Sequence, residues 1–443
     1  MFRRFHRSIL GAIGAILAAQ ASLALGQQLN LGALTLARAE QLLQTRNREV
    51  LAARRALEAA QADTISAGAR PNPTLSLGLA AINPAAGVGS GSLRDKTVDS
   101  SVRIDQVIEG GNRRELRVAT AESLQTASAE DLFEISRQQR LTLRSAYYDL
   151  LFSQDKVGIA RDTMTLFESS LTAAQLRLKA GDIAGADVAR LRVDALRAEN
   201  DERAAEADRH RAQFALAYLV GADKQAADIR AVDPWPPFSS DGAPESVTEE
   251  MIERRPDVRA AKNRVEAARK ARELAKSLRS RDVTVAAQYD HYPIGTGANT
   301  FGSGNSYGLF VSVPLFSRYY YEGEIRRAEV DYNTAEEALN RIRAQAFGDL
   351  SRALSDLKAT SERLRRYDES LLVEARKAAE SAEFAYKNGA IGVMDLLDSR
   401  RTLRAIQIDA AGARNAYAKA LAVWQLGAGA SGDGSANGTS SSG

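Results

Sequence analysis

The chain has 443 residues, room for more than one ordinary domain, with 59 Lys and Arg against 56 Asp and Glu and no cysteine. The missing cysteines exclude a disulfide framework, a zinc–thiolate site and a lipid-bearing cysteine. Three basic residues, Arg3, Arg4 and Arg7, head a mostly apolar stretch from Ile9 to Leu25 that ends in small residues at Ala24-Leu25-Gly26. This is the pattern of a cleaved secretory signal over 1–26; the stretch is short for a membrane anchor. Cleavage would remove three arginines and no acid (59 less 3), leaving 56 against 56, so charge gives no reason to invoke nucleic acid. Export without disulfides suits a bacterial periplasm or outer membrane.

The ten prolines fall only within 71–84, 234–256 and 293–314. Proline breaks helix interiors, so the long stretches between are free to be helical. The first alternating segments are TLSLGLAAI (74–82) and VDSSVRIDQVI (98–108), joined by a Gly/Ser-rich loop over 83–97. Leu75, Leu77 and Leu79 share one face by the period of two that strands impose. From 113 to 180 there is one glycine, Gly158, and an apolar residue returns every seventh position at Leu143, Leu150, Val157, Met164, Leu171 and Leu178. That heptad seam predicts a helix running roughly 100 Å at 1.5 Å per residue, longer than a compact domain needs. A tube or a stalk needs it.

Asp233-Pro234-Trp235-Pro236-Pro237 opens a rigid linker over 233–245. The pattern then repeats. A shift of 208 places Val50 on Val258, Glu58-Ala59-Ala60 on Glu266-Ala267-Ala268, Leu75 on Val283, Gly181 on Gly389 and Asp187 on Asp395. A period this long marks a duplicated domain, with halves 27–232 and 246–428. The second half has strands expected over 282–292 and 306–316 around a loop at 293–305, then a heptad seam at Leu350, Leu357, Leu364 and Leu371. Strands of about ten residues with long loops suit a membrane barrel; a pair of soluble hairpins fits the alternation equally. Residues 429–443 are Gly/Ser-rich and read as a disordered tail without assigned function.

No catalytic set emerges, and the chain reads as a non-enzyme that needs no cofactor. His210 and His291 have no metal-ligand partner at i+4, and GTGANTFGSG (295–304) lacks the Gly-Lys-Ser/Thr ending of a phosphate loop. No methionine or cysteine ladder is present to carry soft metals, which suits passive conduction. Tyr289, Tyr292, Phe301, Phe316 and Tyr319-Tyr320-Tyr321 cluster at strand ends, as in an aromatic girdle, or as ordinary turn tyrosines.

Signal, long-loop hairpins and paired coiled-coil hairpins together resemble the outer membrane factor family, the TolC-like export ducts. The most specific phrases are RPNPTLSLGL (70–79), Gln106 to Arg114, Val313-Pro314-Leu315-Phe316 and YKNGAIGVMDLLDSRRTL (386–403). The GG-x-R-R phrase is similar to the cobalt-zinc-cadmium resistance branch. The resemblance implies a mainly α fold with a membrane β-barrel portion. Four strands per chain cannot close alone, so it implies a homotrimer in outer membrane lipid, with coiled-coil hairpins forming an α-barrel tunnel into the periplasm. It implies a periplasmic adaptor and an inner membrane RND transporter as partners, with heavy-metal cations as the expected cargo. Multidrug export, type I secretion and a soluble periplasmic coiled-coil scaffold are the competing readings.

Residue by residue, the family's periplasmic tips, where the adaptor docks, fall on Gly181 and Asp182 and on Gly389 and Ala390. Its entrance acids fall on Asp395 and Asp398, which in three copies would ring the pore. Its closed-state contacts fall on Tyr386 and Asp187, but Ile391 stands for its arginine and Ala186 for its threonine. Arg190, one turn from Asp187, is a replacement suggested by spacing alone. Spacing by itself leaves the two aspartates equally well explained as acids complementing a helix dipole.

Overall fold

The computed structural model describes residues 31–80, 82, 98–238, 246–292 and 304–429. The expected signal, both long loops, Phe301, residues 239–245 and the tail beyond 429 lie outside the described residues. In chain order the elements are α1 (Leu36–Arg46), α2 (Arg48–Ala67), β1 (Thr74–Ala80), β2 (Asp99–Ile108), α3 (Arg113–Ala180) and α4 (Gly185–Val220). After the linker come α5 (Glu249–Glu253), α6 (Pro256–Ser277), β3 (Val283–Tyr292), β4 (Gly304–Ser312), α7 (Glu322–Arg366), α8 (Leu372–Lys387) and α9 (Val393–Gly427). A short π-helical turn, Tyr367–Leu371, joins α7 to α8. No described helix is long and apolar enough to cross a membrane.

Two compact units result, and they cut across the sequence repeats: one from 49–137, 246–352 and 426–429, the other from 31–48, 138–238 and 353–425. The first holds the sheet, antiparallel throughout in the order β1-β2-β3-β4. Register puts Leu77 opposite Val102, Val102 opposite Tyr289, and Tyr289 opposite Tyr307. The same alternation lines up Leu75, Ile104, Ala287 and Leu309. This apolar face is bare: Leu77 is 74% and Leu309 85% exposed. The opposite face is polar. There Arg103 donates to Asp105 and Gln288, and Gln288 to Asp290. A sheet with its apolar face uncovered is inverted for water and correct for lipid. The outer edges of β1 and β4 have no partner strand among the described residues.

The fourth strand starts and stops earlier than 306–316. Pro314 has no N–H to extend the ladder, so pairing ends at Ser312. Pairing of β3 begins at Val283 because Asp282 instead accepts from Arg113 and from the Gly110 N–H, at 2.7 and 2.9 Å. β1 stops at Ala80 and β2 starts at Asp99, each inside the expected span.

In the other unit, α3 packs on α4 through Val157, Ala160 and Ala205. Farther along, Phe167 and Ala174 of α3 meet Val188, Leu191, Ala195 and Ala198 of α4 and Leu397 of α9. Ion pairs flank these seams, as at e and g positions of a coiled coil: Lys156–Asp208, Arg404–Asp201 and Lys419–Asp149. The linker is anchored by Tyr147, whose buried hydroxyl donates to the Leu34 carbonyl and sits 2.9 Å from Asp233; Asp233 in turn caps the Leu36 N–H. Burial pushes the Tyr147 phenol well above its ordinary range, so it stays a donor.

The heptad seam of the second half needs one correction. Leu350, Leu357 and Leu364 are buried as expected, but Leu371 is 45% exposed and Leu372 (8%) takes its place. The π turn, closed by the Leu372 N–H to the Tyr367 carbonyl, inserts one residue and moves the seam by one position. Comparing the halves locates that insertion. Within the long helices just before it the halves align at 207, one less than in the preceding segments: Leu143 with Leu350, Ala146 with Ala353, Asp149 with Asp356 and Leu150 with Leu357. After it they align at 208, from Ala174 with Ala382 to Asp187 with Asp395. The corresponding part of α3 is uninterrupted α-helix.

Candidate pore entrance

Both hairpin turns are built the same way. At the end of α3, Gly181 has φ +84°, its N–H reaches the Leu178 carbonyl, and the Asp182 N–H reaches Arg177. At the end of α8, Gly389 has φ +73°, its N–H reaches Tyr386, and the Ala390 N–H reaches Ala385. These are paired Schellman motifs, which satisfy the last carbonyls of each helix and favour glycine at the left-handed position. A Cβ on either glycine would meet nothing within 4 Å, so backbone conformation alone asks for glycine there. Gly181, Asp182, Gly389 and Ala390 are all exposed.

The next helices begin with the acids. Asp395 is the third residue of α9, and its Oδ2 accepts the Gly392 N–H at 3.3 Å. That is the returning half of a capping box, so the dipole reading has a concrete contact. Asp398 lies one turn on. Both are exposed, neither has a cationic partner among the described residues, and Leu396 and Leu397 between them are buried. Leu397 faces the α3–α4 core, which leaves the aspartates on the uncovered side.

Tyr386 and Asp187 have cationic neighbours that differ. Asp187 is 3.8 Å from Arg190 on its own helix, a largely exposed pair of small energetic weight. Tyr386 accepts instead from Arg177 Nη1 at 3.0 Å, and that guanidinium lies 5.8 Å from the ring centre. Arg177, in the last turn of α3, is the residue that sequence reasoning missed. Its signal was only a basic residue at a helix end, 209 positions from its partner. Behind the tip, Asp194 is buried and accepts twice from Arg401, at 2.7 and 2.6 Å, tying α4 to α9. Arg400 donates to Ser170 and sits 3.6 Å from Glu383; Lys387, with Arg400, holds the Glu383 carboxyl below its usual range.

Uncovered apolar strands, very long paired helices and acid-bearing hairpin tips define a membrane-anchored channel component. The chain belongs to the outer membrane efflux protein family, whose model matches residues 39–222 and 247–423. It is therefore an outer membrane channel protein extending into the periplasm, and not an enzyme. Among its relatives, the cobalt-zinc-cadmium resistance protein CzcC of Cupriavidus metallidurans is 24% identical over 376 residues, 84% of either chain. The pyoverdine export outer membrane protein OpmQ of Pseudomonas putida is 24% identical over 386 residues, 82% of this chain and 79% of its own. The fold matches the solved CmeC outer membrane channel of Campylobacter jejuni with a TM-score of 0.74 at 14% identity, over 89% of this chain and 85% of that one.

Proposed function

We propose that three copies of this chain form the outer membrane duct of a tripartite RND-type efflux system, passing heavy-metal cations from periplasm to exterior. The carrying observation is the four-stranded sheet with a bare apolar face and two free edges. In lipid those edges must be paired, and three sheets of four strands meet that need by closing one barrel. The turns at Gly181-Asp182 and Gly389-Ala390 are exposed and alike, which suits repeated docking of a periplasmic adaptor, and through it an inner membrane transporter. Asp395 and Asp398, repeated threefold, would ring the entrance with carboxylates that favour cations and hinder anions. Replacing both by Ala is expected to raise single-channel conductance in planar bilayers and to reduce cation preference. Unchanged conductance and selectivity would remove the gate role and leave Asp395 as a helix cap.

Metal cargo is supported by the relative named for cobalt, zinc and cadmium resistance. Export of pyoverdine is the second reading, favoured by the equally similar pyoverdine export protein. Deleting the gene separates them. Metal cargo predicts sensitivity to zinc, cobalt and cadmium with unchanged pyoverdine in the medium; pyoverdine cargo predicts the reverse.

A further inference from the structure

We propose that the helix-side rim of the sheet is a docking surface for the anionic headgroups of glycerophospholipids in the periplasmic leaflet. The residues come from two short stretches: Arg279 and Arg281, which lead into β3, and Phe316 to Tyr321, which follow β4. Arg281 lies 5.6 Å from the Phe316 ring centre, and Arg279 Nε donates to the Tyr320 carbonyl. Phe316 stacks edge-on against Tyr320 and Tyr321, at 6.4 and 5.4 Å, and Tyr319 lies 5.9 Å from Tyr321. Tyr321 is held at φ +62°, a backbone state costly for a bulky residue, so the surrounding rings fix the shape of this patch.

The charge balance points to an anion. Arg279, Arg281 and Arg318 are exposed, and none has a carboxylate partner among the described residues. Of the nearby acids, Asp282 is paired with Arg113, while Glu322 and Glu324 accept only from the Tyr320 N–H and the Tyr319 hydroxyl, so three arginines stand against two carboxylates and the patch keeps a net positive charge. Guanidinium forks match phosphate oxygens, and tyrosines suit a boundary that is apolar on one side and wet on the other.

Position selects the lipid. By strand alternation Arg281 shares the face of Val283 and Val285, the apolar face, and Leu315 beside the patch is 81% exposed. The rim lies at the strand ends from which α6 enters and α7 leaves, at the other end of the strands from Tyr292 and Gly304. With the apolar face in the hydrocarbon and the helices in the periplasm, these arginines meet headgroups of the inner-facing leaflet. This rests on the sheet being the membrane wall, which detergent dependence of the purified protein checks separately.

The test uses the full chain reconstituted in nanodiscs of mixed phosphatidylglycerol and phosphatidylethanolamine, with retained lipids counted by native mass spectrometry. The wild type is expected to retain phosphatidylglycerol preferentially. The triple variant Arg279→Gln, Arg281→Gln, Arg318→Gln should lose that preference, by about fivefold per arginine removed. If the triple variant does not fold, the single substitutions Arg281→Gln and Arg318→Gln should each show a partial loss. A wild type without preference, or a variant that keeps it, overturns the proposal. So does full competition by millimolar inorganic phosphate, which would mark a site for free anions.

Discussion

Arg255 is among the most deeply buried charges in the molecule, with 6% of its side chain exposed, and its Nε and Nη2 grip Asp257 at 3.0 and 2.6 Å. Burial pushes the Asp257 carboxyl up, but the Arg255 bonds outweigh it and hold the group below the usual carboxylate range. A carboxylate lowered in the folded state contributes stability that is full above its unfolded value, about 4, and is lost as pH falls through the folded value. Asp257→Asn is therefore expected to lower stability at pH 7 by about 3 kcal/mol, because it leaves a buried cation poorly paired. It should also flatten the acid limb of a pH–melting profile below about pH 4. An acid limb identical to wild type would show that other carboxylates govern it. At the tip, Tyr386→Phe keeps the ring and removes the acceptor for Arg177. If the contact holds α3 against α8, hydrogen exchange in the last turns of both helices should quicken together. Quickening in α8 alone would make it a local effect.

Helices and strands were largely legible because both are periodic. The α3 bounds follow from the proline-free, glycine-poor run 113–180, and the strands from an alternation whose apolar face the structure leaves uncovered. What was not legible had no period. The end of β4 depends on one missing N–H at Pro314, and the Arg177–Tyr386 contact on two helices meeting far apart in sequence. The displaced seam at Leu371 follows from a single inserted residue, visible only when the offset between halves changes from 207 to 208. Deleting exposed Ser370 is expected to turn α7 and α8 into one continuous α-helix with Leu364 and Leu372 still buried. Amide exchange across 367–371 should then slow, since a π turn weakens the local ladder. Unchanged exchange would mean that Arg414, bonded to Asp368 at 2.6 Å, already fixes the segment. Glycines give a second contrast. Gly389→Ala meets only its backbone preference and should cost about 1–2 kcal/mol, felt as fraying of residues 385–392 in exchange measurements. Gly110→Ala would drive a Cβ to 2.4 Å from the Arg281 carbonyl and should lower the melting temperature of the whole sheet. Equal effects at the two sites would contradict this division.

At the scale of the molecule, duplication is the proposed origin of the matched turns and the paired strands, and trimerisation is the proposed answer to the unsatisfied edges. The purified protein should accordingly run as a trimer in mild detergent. Val311→Pro, in the edge strand β4, should weaken strand pairing and give monomers that still hold helical structure by circular dichroism. A trimer that survives this change would place assembly in the helices instead.

The π turn at Tyr367–Leu371 has a further consequence for symmetry. Two equal halves in three chains would arrange six equivalent hairpins, a ring indistinguishable after each sixth of a revolution. The residue inserted between α7 and α8 lowers that order to three, alternating an unbroken stave with an interrupted one. The interrupted stave leads to the hairpin that carries Asp395 and Asp398, so any compliance it lends reaches the acids in every second position around the proposed ring.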